Sequence, residues 1–153
     1  MAKETIRPAT RTDEEPVRIL IYSILAEYGL EPSPATTDGD LYDLAGFYRD
    51  GAFDVMVDEA GEIIGTLGLK ALSPTVCELR KMYLRAGARG KGLGARLLRH
   101  AIERAKELGF RRIELETASV LEEAIGLYRK FGFEATPNDA VEARCDMAMA
   151  LDL

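Results

Sequence analysis

A glycine-rich segment between a strand and a long amphipathic helix constrains this chain more than any other part of its sequence. It reads Arg89-Gly-Lys-Gly-Leu-Gly94, and its three alternating glycines let the backbone turn successive amides toward one point. The helix that begins there adds unpaired N–H groups and a partial positive charge. Arg89 and Lys91 add two formal charges. The segment therefore predicts a phosphate site, with a plain glycine-rich helix cap as the alternative.

The spacing of apolar residues predicts a single α/β domain over residues 1–153. Helices are expected at 13–28, 40–48, 93–109 and 120–130. Strands are expected at 5–7, 52–58, 63–72, 77–84 and 112–116, with closing strand structure within 141–153. Hairpins come first and one βαβ crossover follows, so we expect a mixed, mostly antiparallel sheet flanked by helices, with a right-handed crossover.

The composition excludes several classes of protein. The formal net charge is −6, and nucleic-acid binding draws on phosphate neutralisation by a basic surface. No apolar run approaches the ~20 residues of a membrane span, and Met1–Arg7 carries charges where a signal peptide needs an apolar stretch. Two cysteines, Cys77 and Cys145, fit a reducing compartment without a disulfide framework. We therefore expect a cytoplasmic protein with no nucleic-acid or membrane partner.

The single histidine limits the catalytic sites that the chain can build. A histidine-rich metal site is excluded, and a Ser-His-Asp triad could use only His100. His100 lies among arginine and glutamate residues on the polar side of the predicted helix 93–109, so we expect it to be solvated. Cys77 and Cys145 have no base nearby in the sequence, and neither is expected to act as a nucleophile.

Two other phosphate-binding motifs can be compared with the glycine-rich segment. A Walker loop is excluded because Leu93 stands where that loop needs a serine or threonine. A dinucleotide fingerprint is matched nominally by Gly90, Gly92 and Ala95. Its strand should be almost continuously apolar, whereas charged residues interrupt 77–84, and half of the chain precedes the segment. A dinucleotide-binding domain is therefore kept as the weaker alternative.

Two motifs in the correct order resemble the GNAT superfamily of acyl-CoA-dependent N-acetyltransferases. The segment Arg89–Gly94 is similar to that superfamily's pyrophosphate loop, Gln/Arg-x-x-Gly-x-Gly/Ala. The segment Ala124–Phe133 is similar to its second motif, Ala-x-x-Leu-Tyr-x-Lys-x-Gly-Phe. The family often has Asn where this chain has Leu121, so a polar contact to the cofactor arm or a neighbouring strand is missing here.

The resemblance implies that acetyl-CoA is the co-substrate and that no metal takes part. The backbone of Met82, Tyr83 and Leu84 would pair with the pantetheine arm, in the gap between two splayed strands. A backbone amide near Met82 or Tyr83 would face the thioester oxygen and stabilise developing negative charge. The pyrophosphate would be held by successive amides, those of Arg89, Gly90, Lys91, Gly92, Leu93, Gly94 and Ala95.

The same resemblance implies two catalytic side chains. Tyr128 corresponds to the tyrosine beside the CoA sulfur, often the general acid that protonates the departing thiolate; a core tyrosine is the alternative. Glu78 matches a strand position at which some members place a general base. The alternatives for Glu78 are an ion pair with Arg80 on a solvated face, or ordered water as the base. Strand alternation places Glu78 and Arg80 on one side and Lys81 on the other.

The acceptor is expected to be an amine, either a small metabolite or a lysine. In the superfamily it binds between the N-terminal helices and the C-terminal strands, here 22–48 and 137–144. These segments carry acidic residues that suit a cationic amine, namely Glu27, Glu31, Asp38, Asp40, Asp43, Asp139 and Glu142. The resemblance leaves open a homodimer, and it leaves open a non-catalytic acyl-CoA-binding or sensing domain on the same scaffold.

Overall fold

One mixed β-sheet organises the computed structural model, which describes residues 3–137 and 145–153. Its strands are β1 (Thr5–Pro8), β2 (Ala52–Val57), β3 (Ile63–Ala71), β4 (Val76–Leu84), β5 (Arg112–Thr117), β6 (Glu134–Thr136) and β7 (Met147–Asp152). Their order in the sheet is β1-β2-β3-β4-β5-β7-β6. The β4–β5 pair is parallel, and the other pairs are antiparallel. The predicted mixed α/β fold is confirmed.

The helices follow the predicted order with some changes at their boundaries. They are α1 (Glu14–Glu27), α2 (Leu44–Phe47), α3 (Leu93–Glu107) and α4 (Glu122–Lys130). The helix expected at 40–48 is divided into a 3₁₀ turn, Gly39–Tyr42, and the single turn α2, because Asp43 adopts an extended φ of −156° between them. The helix expected from residue 120 begins at Glu122, after Leu121 with ψ 61°.

Helices cover both faces of the sheet. On one face, α3 buries a stripe that includes Leu97, Leu98 and Ala101. On the other face, α1 buries Val17 and Ile21 against the alternate side chains of β2. This three-layer arrangement leaves the sheet open to a ligand only where neighbouring strands separate.

The closing strands were predicted only in part. β7 lies within the segment 141–153, whose first four residues lie outside the described ones. β6 was not predicted, because three residues are too short to give an alternating pattern. The dinucleotide alternative is wrong, because five of the six strand pairings among the described residues are antiparallel, whereas that fold is built on a mostly parallel sheet.

The prediction that His100 is solvated is wrong. Its Nε2 lies 2.7 Å from Oδ2 of Asp54 on β2, and Nε of Arg104 lies 3.4 Å from the same oxygen. Asp54 is 1% exposed. A buried carboxylate needs polar partners, and α3 supplies them from the edge of its buried face. His100 is therefore a structural partner of β2.

A β-bulge interrupts β4 at Lys81. Thr66 of β3 pairs with Tyr83, but Gly68 pairs with Arg80, so β4 carries one extra residue between these pairs. Lys81 adopts the left-handed φ of 54°, and its carbonyl accepts a 2.7 Å hydrogen bond from the Thr66 hydroxyl. The extra residue ends the alternation of side chains. The prediction that Lys81 points away from Arg80 is therefore wrong.

The close packing of the Tyr48 ring against Gly68 leads to a testable prediction about stability. A Cβ at Gly68 would lie 2.7 Å from the Tyr48 ring, so we expect Gly68→Ala to destabilise the protein by about 1–3 kcal/mol. The matched control is Gly126→Ala on the exposed face of α4, where a Cβ meets nothing within 4 Å. That control should gain about 0.5–1 kcal/mol. Urea unfolding of both variants checks this, and equal shifts in the two would contradict it.

Candidate active site

A cavity opens where β4 and β5 separate. The two strands pair only at Val76 with Arg112, Cys77 with Ile113, and Glu78 with Glu114. Beyond these pairs β4 continues to Leu84 and β5 to Thr117 without pairing with each other, while β5 stays paired with β7 on its other edge. The gap contains a cavity of about 430 Å³. The separation of these two strands leaves room for an extended ligand between them.

The cavity brings together most of the site residues predicted from the sequence. Those that line it are Glu78, Met82, Tyr83, Leu84, Arg89, Gly90, Gly92, Gly94, Ala95, Leu121 and Tyr128. Lys91 is exposed on the loop, and the Leu93 side chain packs in the core. Any contribution of Leu93 to the site is therefore limited to its backbone amide.

The glycine-rich segment fits a phosphate group. Gly90 and Gly92 have φ of 78° and 77°, which strongly favours glycine, and a Cβ at either would meet nothing within 4 Å. Gly92 is the N-cap of α3 and makes no side-chain cap, so the first N–H groups of the helix have no partner from that residue. The loop thus combines open space, free backbone geometry and a helix N-terminus.

The Arg89 side chain braces the loop. Its Nε donates a 2.9 Å hydrogen bond to the carbonyl of Leu84, and Nη1 donates a 2.9 Å bond to Glu27 at the end of α1. The guanidinium also lies 5.6 Å from the centre of the Tyr28 ring. Arg89 therefore ties the cofactor loop to β4 and α1, so its charge is shared with Glu27 before any ligand arrives.

Tyr128 is held inside the cavity by α4. The residue is 6% exposed, and its ring packs against Phe133 with 5.7 Å between ring centres. Within residues 3–137 and 145–153 no hydrogen bond to its hydroxyl is found. Burial raises the pKa of Tyr128 well above its usual range, and Tyr83 and Cys145 act in the same direction. The phenol is therefore protonated at neutral pH, as a general acid must be.

Glu78 faces the cavity at the last paired position of β4. Its Oε1 lies 3.1 Å from Nη1 of Arg80, and the two side chains are 18% and 15% exposed. The ion pair with Arg80 is present, but it lines the cavity and does not lie on a solvated face. The carboxylate is thus oriented by a neighbour and accessible from the cavity.

The acceptor side of the cavity differs from the predicted acidic surface. Its wall includes Leu30 and Thr37. Asp38 and Asp40 are buried and form ion pairs with Lys81, and Glu27 pairs with Arg89. Asp139 and Glu142 lie outside the described residues. In the described part of these segments, three of the carboxylates therefore form ion pairs with residues of the same chain.

Several site residues were not found from the sequence. Lys81 and Thr37 line the cavity because of the bulge in β4, and Tyr48 supports Asp40 by a hydrogen bond from its hydroxyl. Cys145 also lines the cavity, next to Asp146, which accepts 2.6 Å bonds from the backbone N and hydroxyl of Ser119. Tyr48 and Asp40 are eight residues apart, and the other partners are separated by more than 25 residues, so no local pattern marks them.

Three further observations limit the chemistry of the site. Burial raises the pKa of the Cys77 thiol to about 12, which fits a structural residue. In the described part of the chain, no cluster of three or more potential metal-ligating side chains occurs. No helix among those residues has the length and apolar character needed to cross a membrane.

Comparison with known proteins agrees with this geometry. The model of the acetyltransferase (GNAT) family matches residues 19–133. The uncharacterized N-acetyltransferase YjgM of Escherichia coli (strain K12) is 38% identical, over 84% of this chain and 81% of that protein. A GNAT-family acetyltransferase from Staphylococcus aureus Mu50 superimposes with a TM-score of 0.91 at 23% identity, covering 97% of this chain and 98% of that one.

A structure with a bound ligand shares the fold. The phosphinothricin acetyltransferase of Sinorhizobium meliloti in complex with AcCoA superimposes with a TM-score of 0.77 at 23% identity, covering 99% of this chain and 89% of that one. At this identity the likeness concerns the fold alone.

The start of α3 provides the sharpest test of the phosphate site. Replacement of Gly92 would itself distort the loop because of its positive φ, whereas Gly94 lies within the helix and lines the cavity. A Cβ at Gly94 would meet only Leu127 Cδ2, at 3.4 Å. We expect Gly94→Val to weaken acetyl-CoA binding by about tenfold or more, because its methyl groups would occupy the groove.

Calorimetric titration measures this affinity. Gly126→Val is the matched control, since that helical glycine does not line the cavity. Unchanged affinity in a folded Gly94→Val variant would show that the phosphate group binds elsewhere. Micromolar affinity for NADH in the wild type would also contradict the assignment.

Proposed function

We propose, since the chain belongs to the acetyltransferase (GNAT) family, that it transfers an acetyl group from acetyl-CoA to an amine by direct attack in a ternary complex. The observation that carries the proposal is the shared cavity. A glycine-rich anion site, a buried tyrosine hydroxyl and an accessible carboxylate all face the space between β4 and β5. The acceptor site then lies on the side of Thr37 and Arg80.

The chain supplies different groups to the two ends of acetyl-CoA. The amides from Arg89 to Ala95 would hold the pyrophosphate, and the backbone of Met82–Leu84 would pair with the pantetheine arm. Bound acetyl-CoA supplies the acetyl group as an activated thioester. A backbone N–H near the bulge, at Met82 or Tyr83, would stabilise negative charge on the thioester oxygen. The fit is supported by the open loop and by the unpaired stretch of β4.

Tyr128 would act as the general acid. The residue lines the cavity and is 6% exposed, and burial keeps its proton in place at neutral pH. A thiolate that leaves in this cavity needs a proton, and the Tyr128 phenol, which lines the cavity, would supply it.

Glu78 would receive the proton of the attacking amine. Most amines are cationic at neutral pH, so the acceptor must lose a proton before its nitrogen can attack. The Glu78 carboxylate attracts the ammonium form and accepts its proton directly or through one water molecule. Arg80 holds the carboxylate in position from the same strand.

The first test of this function compares wild type with Tyr128→Phe. Purified protein is mixed with acetyl-CoA and a panel of amines, and free CoA thiol is measured. The panel contains polyamines, a lysine peptide, α-amino acids and phosphinothricin, after which the Sinorhizobium meliloti enzyme is named. We expect wild type to release thiol with at least one amine, and Tyr128→Phe to lower kcat by about 10²- to 10⁴-fold.

The control for this test is Tyr42→Phe, which removes the hydroxyl of an exposed tyrosine paired with Tyr22. It should leave kcat unchanged. Full activity of Tyr128→Phe with a lowered melting temperature would instead make Tyr128 a core residue. Acetyl-CoA binding without turnover of any amine would favour the non-catalytic sensing domain.

The second test concerns Glu78 and pH. Glu78→Gln should lower kcat/KM at pH 7 by about tenfold or more, because the amine then lacks its proton acceptor. The deficit should shrink as pH rises, since a larger fraction of the amine is already neutral in solution. Glu114→Gln is the matched control, because Glu114 pairs with Glu78 across the two strands and forms an ion pair with Arg112. An equal loss in both variants, independent of pH, would remove Glu78 from the mechanism.

A further inference from the structure

A buried group of charges lies directly behind the acceptor wall of the cavity. Lys81 Nζ lies 3.3 Å from Oδ1 of Asp38 and 3.3 Å from Oδ1 of Asp40. It also donates a 3.0 Å hydrogen bond to the carbonyl of Thr37. The lysine side chain is 4% exposed and both aspartate side chains are 0% exposed. One lysine therefore holds three points of the segment 37–40.

The segment 37–40 is attached both to its own neighbours in the chain and to β4. Most of its described backbone hydrogen bonds are local, as from Asp38 N to the Ser33 carbonyl at 2.9 Å. The Ser33 amide in turn donates a 2.7 Å bond to Oδ2 of Asp38. Across to β4, Arg80 Nη2 donates a 2.9 Å bond to the same Thr37 carbonyl that Lys81 reaches. The position of Thr37 on the cavity wall thus depends on two adjacent cations of β4.

The arrangement is costly and specific. Burial of an ion pair costs desolvation that its Coulomb energy only partly offsets, and apolar side chains of similar volume often give equal stability. Burial lowers the pKa of Lys81, although Asp40 and Asp38 act in the opposite direction. Lys81 also adopts the left-handed backbone, which is strained in a residue with a Cβ. A core that served stability alone would need neither the buried ion pairs nor the left-handed backbone at Lys81.

The aspartates have support of their own on the sheet side. Tyr48 donates its hydroxyl to Oδ2 of Asp40, and the Tyr48 ring lies in the space left by Gly68 on β3. Gly68 is the residue that pairs with Arg80 beside the bulge. Asp40 is therefore fixed by Tyr48, whose ring packs on β3, while Lys81 is part of β4 itself. The segment 37–40, held by both, has little freedom to move.

We infer that Lys81 is a positioning residue for the acceptor: through Asp38, Asp40 and the Thr37 carbonyl it fixes the wall against which the amine binds. The inference rests on the proposed function in that it assigns the amine to this side of the cavity. Although Lys81 belongs to the cavity lining, its side chain is 4% exposed and its ammonium is held by two carboxylates and the Thr37 carbonyl, so it acts on the acceptor through the wall. Its loss should therefore affect acceptor binding and leave the acetyl-CoA end unchanged.

Hydrogen exchange tests the structural half without any acceptor. The main variant is Lys81→Met/Asp38→Asn, which removes one charge of each sign and leaves Asp40 with Arg80 and Tyr48. We expect amides of residues 31–43 to exchange about tenfold faster, with no change in α3 or β5. Lys106→Met, which breaks an exposed ion pair on α3, is the control. Unchanged exchange at 31–43 would overturn the inference.

Kinetics test the functional half with whichever panel amine wild type acetylates. We expect the acceptor KM to rise about tenfold or more, because misplacement of a binding wall costs this much, while acetyl-CoA affinity stays within about twofold. A fall in kcat with unchanged acceptor KM, or an equal loss of acetyl-CoA affinity, would show a general effect on folding. If wild type acetylates no amine, the proposed function fails, and hydrogen exchange still decides whether Lys81 fixes the segment.

A milder variant covers the case in which the double variant does not fold. Tyr48→Phe keeps the ring beside Gly68 and removes only the hydrogen bond to Asp40. It should change exchange at 31–43 and the acceptor KM in the same direction by a smaller factor, about threefold. A folded Tyr48→Phe variant with wild-type values for both would overturn the inference.

Discussion

The loss of pairing between β4 and β5 after Glu78 is the constraint on which the rest of the site depends. Two parallel strands that stay paired leave no space between them, whereas here the pairing ends while β4 still has six residues to run. β5 stays in the sheet because it pairs along its whole length with β7 on its other edge. The unpaired end of β4 can then hydrogen-bond a ligand, and α3 and α4 supply the loop and the tyrosine at its margins.

The two ends of this cavity are held in shape by different kinds of interaction. The cofactor end uses backbone geometry, namely the positive φ of Gly90 and Gly92 and the start of α3, and these tolerate few side chains. The proposed acceptor end uses buried charges on a segment of turns that leads into the 3₁₀ turn Gly39–Tyr42, held by Lys81 and Arg80. The first arrangement suits a ligand part that does not vary. The second allows the position of the wall to change by substitution of a few charged residues.

Local patterns in the sequence predicted the glycine-rich loop before α3 and the inward position of Tyr128, and missed the buried charges around Lys81. The glycine spacing and the helical spacing of Tyr128 are short-range signals, and both are retained in the structure. The bulge at Lys81 was missed because strand alternation assumes equal numbers of residues on paired strands. The contact of Asp54 with His100 was missed because the two residues lie 46 positions apart in the sequence. A polar residue on a helix is expected to face solvent when no partner is close to it in the sequence.

Two braces hold the α1–α2 region against β4, and they differ in exposure. Arg89 and Glu27 are 24% and 38% exposed, so dissolved salt screens their attraction. Lys81 and its two aspartates are enclosed, where salt does not reach and where each charge depends on the others. The ion pair between Arg89 and Glu27 can therefore break when a phosphate group competes for Arg89. The acceptor-side brace cannot exchange partners in this way, which suits a wall that must keep its shape while acetyl-CoA binds and leaves.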